Sequence, residues 1–127
     1  PDELREQVAG REIRHVVTGV EPGATQQTEA WHPVLRPHPV TGRVALYLST
    51  PQRCVEVSGL SEPDSRELVE RLYEHSTTHD ATTLRHQWEV GDVVVWDNGC
   101  VLHKADHSGV VGDRVMHRGM VDGYGPR

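Results

Sequence analysis

A mostly β fold is predicted for this chain, an antiparallel sandwich or jelly roll with one helix laid outside it. Three observations carry that prediction. Short apolar runs recur between turns rich in Gly, Pro, Asn and Asp. Proline at positions 33, 37 and 39 forbids a helix there and holds the preceding residues extended. One segment, opening at Ser61, combines helix-capping residues with an amphipathic stripe.

Taken in order, residues 2–8 read as the tail of a helix, with Leu4 and Val8 one turn apart and Gly10 as the stop. Residues 11–18 alternate weakly through Ile13, His15 and Val17, as an edge strand does. Gly, Pro, Thr, Gln and Glu dominate residues 19–30, which read as a loop. Residues 31–39 are extended. A turn at Val40-Thr41-Gly42-Arg43 then makes a hairpin with a strand over residues 44–48, and residues 54–57 add a short strand. In the helix, Ser61 caps, Pro63 is tolerated in the first turn and Asp64 is the reciprocal carboxylate. Leu68, Val69, Leu72 and Tyr73 form its apolar stripe; Arg66, Glu67, Glu70 and Arg71 face water, and the helix ends near residues 75–77. Beyond it, strands are expected at residues 84–88, 93–96, 100–103 and 114–121. Turns fall at Val90-Gly91-Asp92 and Asn98-Gly99, a polar loop at residues 106–113, and a tail at residues 123–127. The run Val93-Val94-Val95-Trp96 is apolar on both faces and predicts a strand buried on two sides.

Composition narrows the function. At 127 residues the chain is one domain or part of one, and its 35% apolar content with no Phe is thin for a free-standing core. This, and the absence of an initiator Met, lead to the expectation of a segment that packs against more chain. A net charge of -6 argues against nucleic acid and membrane surfaces as partners. No window has the apolar length of a membrane span, and no signal-peptide pattern occurs. Cys54 and Cys100 are too few for a disulfide framework, so a cytoplasmic setting is expected.

The chemistry concentrates in Trp96-Asp97-Asn98-Gly99-Cys100-Val101-Leu102-His103 and in Arg114-Val115-Met116-His117-Arg118. His103 has two readings, a metal ligand or a half-exposed surface histidine. Arg114 and Arg118, four apart on a strand, share a face with their Cα atoms roughly 13 Å apart. Two such guanidinium forks suit two acidic ligands; alternatively they form salt bridges with Asp97, Asp106 or Asp113. Cys100 lacks a base partner and reads as a small buried residue. His32 and His38, each before proline, read as structural or exposed. His75 and His79 sit around a helix end, where a cation is favourable, and no closed zinc site is expected.

Together, Trp96-Asp97-Asn98, His103 and Arg114-Val115-Met116-His117-Arg118-Gly119 resemble the C-terminal motif of the taurine / 2-oxoglutarate-dependent dioxygenases, the TauD/TfdA-like enzymes. His32-Pro33-Val34-Leu35-Arg36-Pro37-His38-Pro39-Val40-Thr41-Gly42-Arg43-Val44-Ala45-Leu46-Tyr47 resembles that family's hairpin, and the Ser61 helix and Trp88-Glu89-Val90-Gly91-Asp92 follow in its order. The resemblance implies a double-stranded β-helix holding Fe(II) through two histidines and a carboxylate, with 2-oxoglutarate and O2 as co-substrates. It implies that His103 is the distal iron ligand, that Arg114 binds the far carboxylate of 2-oxoglutarate, and that Arg118 meets the anion of a small acidic substrate. Two departures stand out. No His-x-Asp or His-x-Glu motif, the source of the family's other two ligands, occurs in this sequence; and Gly99 stands where the family commonly carries Arg.

The expectation is therefore the C-terminal half of a TauD/TfdA-like dioxygenase domain, inactive as this chain alone, with a homo-oligomer left open. Two other readings compete with it. One is a non-catalytic β-sandwich binding small acidic ligands through Arg114 and Arg118. The other is a cupin-like metal-binding protein recruiting His32, His38 or His86 with His103.

Overall fold

The computed structural model describes residues 1–19 and 27–121. Among the described residues, two small antiparallel sheets and two α-helices lie between Asp2 and Thr77, and one short 3-10 helix follows at Asp80–Thr82. Helix α1 (Asp2–Val8) buries Leu4 and Val8 and carries Asp2 and Glu3 in its first turn, where acidic groups complement the helix dipole. Gly10, at φ 70, reverses the chain as anticipated.

Strand β1 (Glu12–Val16) follows, and it is the central strand of its sheet rather than the edge that weak alternation predicted. It pairs on one side with β2 (Glu29–Pro33) and on the other with β5 (Cys54–Val57). The weak alternation has a reason. One face of β1 carries Ile13 and His15 inward, while Arg14 on the other is held by Glu29 at 2.9 Å and Glu56 at 3.0 Å. Both faces are therefore occupied, and only one of them by apolar groups. A register shift between Arg14 and His15 sets Val57 opposite Ile13 and Cys54 opposite His15. Without that bulge two residues three apart would face opposite ways; with it both are buried.

The expected hairpin is present as β3 (Leu35–Pro37) and β4 (Val44–Leu46), with Arg36 opposite Ala45. Its turn is closed by the His38 amide donating to Arg43 O and the Gly42 amide to His38 O, both at 2.8 Å. Buried Val34 ties the hairpin to the sheet: its amide donates to Arg11 O and its carbonyl accepts from the Tyr47 amide.

Helix α2 (Glu62–Thr77) matches its predicted bounds. The Ser61 hydroxyl accepts from the Asp64 amide at 3.3 Å and donates to the Asp64 carboxylate at 2.6 Å. Leu68, Val69 and Leu72 pack in one core with Ile13, Val57 and Val8. Ser65, fully buried, accepts the Val57 amide at 3.0 Å and so fastens the helix to β5. Arg71 departs from the expected water-facing row and reaches back to Glu3 and Gln7 of α1.

The strands expected at residues 84–88, 93–96, 100–103 and 114–121 are not present. This part of the chain is extended or irregular and mostly exposed: Val93 is 86% exposed, Val95 89% and Val115 83%. The two-sided burial predicted for residues 93–96 is thus overturned, and Cys100, read as buried, is exposed. The physical reason is the difference between local and non-local structure. The turns at Val90-Gly91 and Asn98-Gly99 need only neighbouring residues and are formed. A strand needs a second strand for its amides and carbonyls and a surface for its side chains, and this stretch meets neither. The predicted loop over residues 19–30 lies largely, and the tail wholly, outside the described residues.

Candidate functional site

Asp97 is the hub of the motif turn. Its carboxylate accepts the Gly99 amide at 2.7 Å, and its carbonyl accepts from the Cys100 and Val101 amides. Trp96 Nε1 donates to Asn98 Oδ1 at 2.9 Å, which pins the indole over the turn. A Cβ at Gly99 would stand 3.0 Å from the Asp97 carboxylate, so a larger residue here requires that oxygen to shift.

His38, in the hairpin turn, joins this hub. Its Nδ1 accepts from the Val40 and Thr41 amides, so the ring proton sits on Nε2, which donates to Asp97 at 3.0 Å. The Gly99 amide first and His38 second hold the Asp97 carboxyl below the usual range. Of the two readings for His38, structural or exposed, the ring fills the first, as a link between hairpin and motif.

His103 is exposed, its ring 4.7 Å from that of Trp96 at a 44° tilt. Arg114, partly buried, donates to His107 Nδ1 at 3.2 Å; exposed Arg118 reaches the Met120 sulfur at 3.7 Å. Neither arginine forms an ion pair among the described residues, so the salt bridges to Asp97, Asp106 or Asp113 do not occur there. The shared strand face expected for Arg114, Met116 and Arg118 is absent with its strand. No three His, Cys, Asp or Glu side chains are grouped to hold a metal ion among the described residues. His103 offers a single imidazole, which does not fit an iron site as it stands. The cupin-like alternative fails geometrically as well. His38 is committed to Asp97, His86 donates to Asp92 at 2.9 Å, and His32 is packed in a different cluster.

That cluster was not anticipated from the sequence. His15 and His32, diagonal on β1 and β2, meet Tyr47, with ring centroids 5.1 to 5.4 Å apart. The Arg36 guanidinium covers the Tyr47 ring at 5.2 Å, and Cys54 Sγ lies 3.8 Å from His15 Nδ1. His15 Nε2 and His32 Nδ1 are buried without a partner. Desolvation, then the neighbouring His32, lowers His15 to about 4; desolvation also lowers His32 and raises the Cys54 thiol. The signal available in sequence was the spacing of Ile13 and His15, which puts both on one strand face. A second pair, His75 and His79, has nitrogens 3.1 Å apart at the end of α2, a proximity that the helix-end reading overlooked.

Comparison with known proteins gives this arrangement a lineage. The sequence profile of the taurine catabolism dioxygenase TauD, TfdA family matches residues 1–120. An alpha-ketoglutarate-dependent 2,4-dichlorophenoxyacetate dioxygenase of Cupriavidus pinatubonensis is 36% identical over 86 residues, covering 68% of this chain and 29% of the relative. An alpha-ketoglutarate-dependent sulfate ester dioxygenase of Pseudomonas putida is 36% identical over 98 residues, covering 77% of this chain and 32% of the relative. A crystal structure assigned to an alpha-ketoglutarate dependent 2,4-D dioxygenase from Burkholderia xenovorans superposes with a TM-score of 0.67 at 30% identity, over 79% of this chain and 42% of that one. The chain therefore spans about a third of the length of these curated relatives. The match takes in the hairpin, the capped helix and the motif turn, and the chain belongs to the taurine catabolism dioxygenase TauD, TfdA family.

Proposed function

We propose that this chain is the C-terminal portion of an Fe(II)- and 2-oxoglutarate-dependent dioxygenase domain. The reaction is hydroxylation of a small acidic molecule, in which O2 and 2-oxoglutarate give succinate, CO2 and the hydroxylated product. The observation that carries the reading is the family match over residues 1–120, which takes in His103, Arg114 and Arg118. In this reading His103 is the distal metal ligand, Arg114 grips the far carboxylate of 2-oxoglutarate and Arg118 faces the substrate anion. Support comes from the absence of carboxylate partners for both guanidinium groups among the described residues, which leaves them available to anionic ligands. The setting is cytoplasmic.

Two further ligands complete the metal site in this proposal. They come from a His-x-Asp or His-x-Glu motif, absent from the 127 residues. The same additional chain supplies the strands against which residues 84–121 pair, closing a jelly roll around the site. The isolated 127-residue chain is expected to release no succinate.

The test joins this chain to a family N-terminal portion that bears a His-x-Asp motif and follows Fe(II)- and 2-oxoglutarate-dependent succinate release over a panel of acidic substrates. No oxygen uptake with any of them removes the enzyme reading. In the joined protein, Arg114→Ala is expected to weaken 2-oxoglutarate binding about 100-fold, the loss of a charge-assisted pair. Unchanged affinity removes Arg114 from that role.

A further inference from the structure

We infer that the C-terminus of α2 carries a two-histidine chelate for a borderline divalent transition metal, Cu(II), Ni(II) or Zn(II), formed by His75 Nδ1 and His79 Nε2 and separate from the His103 motif. Side chains four residues apart on a helix stand one above the other. Here the last turn of α2 and the αR conformation at Thr78 keep His79 on the face that carries His75. The two nitrogens lie 3.1 Å apart, with the rings near perpendicular at 77° and their centroids 4.7 Å apart.

That separation matches the bite of a single ion. With metal–nitrogen bonds of about 2.0 to 2.1 Å, nitrogens 3.1 Å apart subtend an angle of about 100° at the metal. This lies between the cis angle of square-planar or octahedral coordination and the tetrahedral angle, and each nitrogen then faces the ion about 40° off the line that joins the two. In the metal-free pair one nitrogen donates its proton to the other. On chelation each neutral ring keeps its proton on its remote nitrogen, so both near lone pairs point at the ion and no net proton is released.

The surroundings carry charges of both signs and leave room for water. A helix C-terminus presents unpaired carbonyls with partial negative charge, and Glu74 and Asp80 adjoin the pair in sequence. Opposing charge comes from Arg71, which is shared with Glu3 at 3.5 Å, and from the Pro1 ammonium, which acts on His75. A shallow depression of about 280 Å³, lined by Leu4, Arg71, Glu74, Thr78 and the two histidines, opens to solvent and accommodates the waters that fill the remaining positions. Two neutral imidazoles with open positions rank the ions Cu(II) above Ni(II) and Zn(II).

The experiment titrates the 127-residue protein with Ni(II) alone, by calorimetry, and repeats the titration on His75→Ala, His79→Gln and His103→Ala. His79 lies beyond the helix and is exposed, so its replacement leaves the core intact. One Ni(II) per chain is expected. Each variant of the pair should bind about tenfold or more weakly, because one nitrogen no longer holds the ion beside the other, while His103→Ala binds as the wild type does. Affinity within twofold of wild type in His79→Gln, or a loss confined to His103→Ala, overturns the proposal.

Discussion

Protonation of the His15–His32–Tyr47 cluster is the sharpest perturbation this fold offers. His15 lies on the central strand, with Cys54 opposite it on β5, His32 diagonal to it on β2 and Tyr47 closing the cluster; the Arg36 guanidinium covers the Tyr47 ring, and Glu12 acts on His32 with the opposite sign. A proton on His15 therefore enters a half-buried pocket with no carboxylate to receive it. Its folded-state pKa of about 4 lies below the unfolded 6.5. Between those values the unfolded chain binds the proton and the folded chain does not, so stability falls as pH drops below 6.5 and levels off under about 4. At about 1.4 kcal/mol per pH unit the full shift corresponds to roughly 3 kcal/mol. The partial solvent contact of the ring screens this to roughly 1–2 kcal/mol, still a large part of a marginal stability. His32, lowered in the same direction, adds to the effect. Urea unfolding of the wild type and of His15→Leu, followed by circular dichroism from pH 7.5 to 4.5, measures it: the wild type should lose stability over this range and the variant much less. Parallel losses in the two proteins would refute the argument.

Three other predictions use separate parts of the structure. Ser65→Ala strands the Val57 amide in the core and should cost about 1–3 kcal/mol in urea unfolding, far more than a surface serine. His38→Ala removes one of the three groups holding Asp97 down, so the Asp97 titration midpoint, read by carboxyl NMR, should rise while staying below the ordinary value because the Gly99 amide and Arg36 remain. Asp97 is depressed in the fold, so its contribution is present above pH 3.8 and lost as the pH falls through its lowered midpoint. Hydrogen exchange should divide the chain: amides of β1, β5 and α2 protected, those of residues 84–121 close to free exchange apart from the turn amides. Strong protection over residues 93–96 would mean that this stretch finds a partner strand in solution.

The elements read correctly from sequence share one property: their signals are local. Ser61, Pro63 and Asp64 specify a helix start within four residues, and the prolines at 33, 37 and 39 with Gly42 specify the hairpin in the same way. What the sequence could not convey was pairing. Nothing in Ile13-Arg14-His15 says that the strand is central, because that depends on residues 29–33 and 54–57 arriving on either side. The bulge that turns Cys54 inward is likewise a property of two strands together.

The same distinction governs the site. The motif turn forms from its own residues, with Asp97, Asn98 and Gly99 bonding among themselves, and its recognisable pattern is largely this local hydrogen-bond logic. The roles assigned to His103, Arg114 and Arg118 need positions relative to groups elsewhere in the domain. Arg114 meets His107 and Arg118 meets Met120, each within seven residues in sequence, which are contacts an irregular segment makes when no long-range ones are offered. The link from His38 to Asp97 is the exception, because it spans 59 residues and ties the motif turn to the ordered hairpin. It anchors the irregular stretch, at Asp97, beside the hairpin. In the proposed domain, a strand pairing with residues 93–96 would start from a tethered turn, which lowers the entropic cost of ordering the segment on which His103 lies.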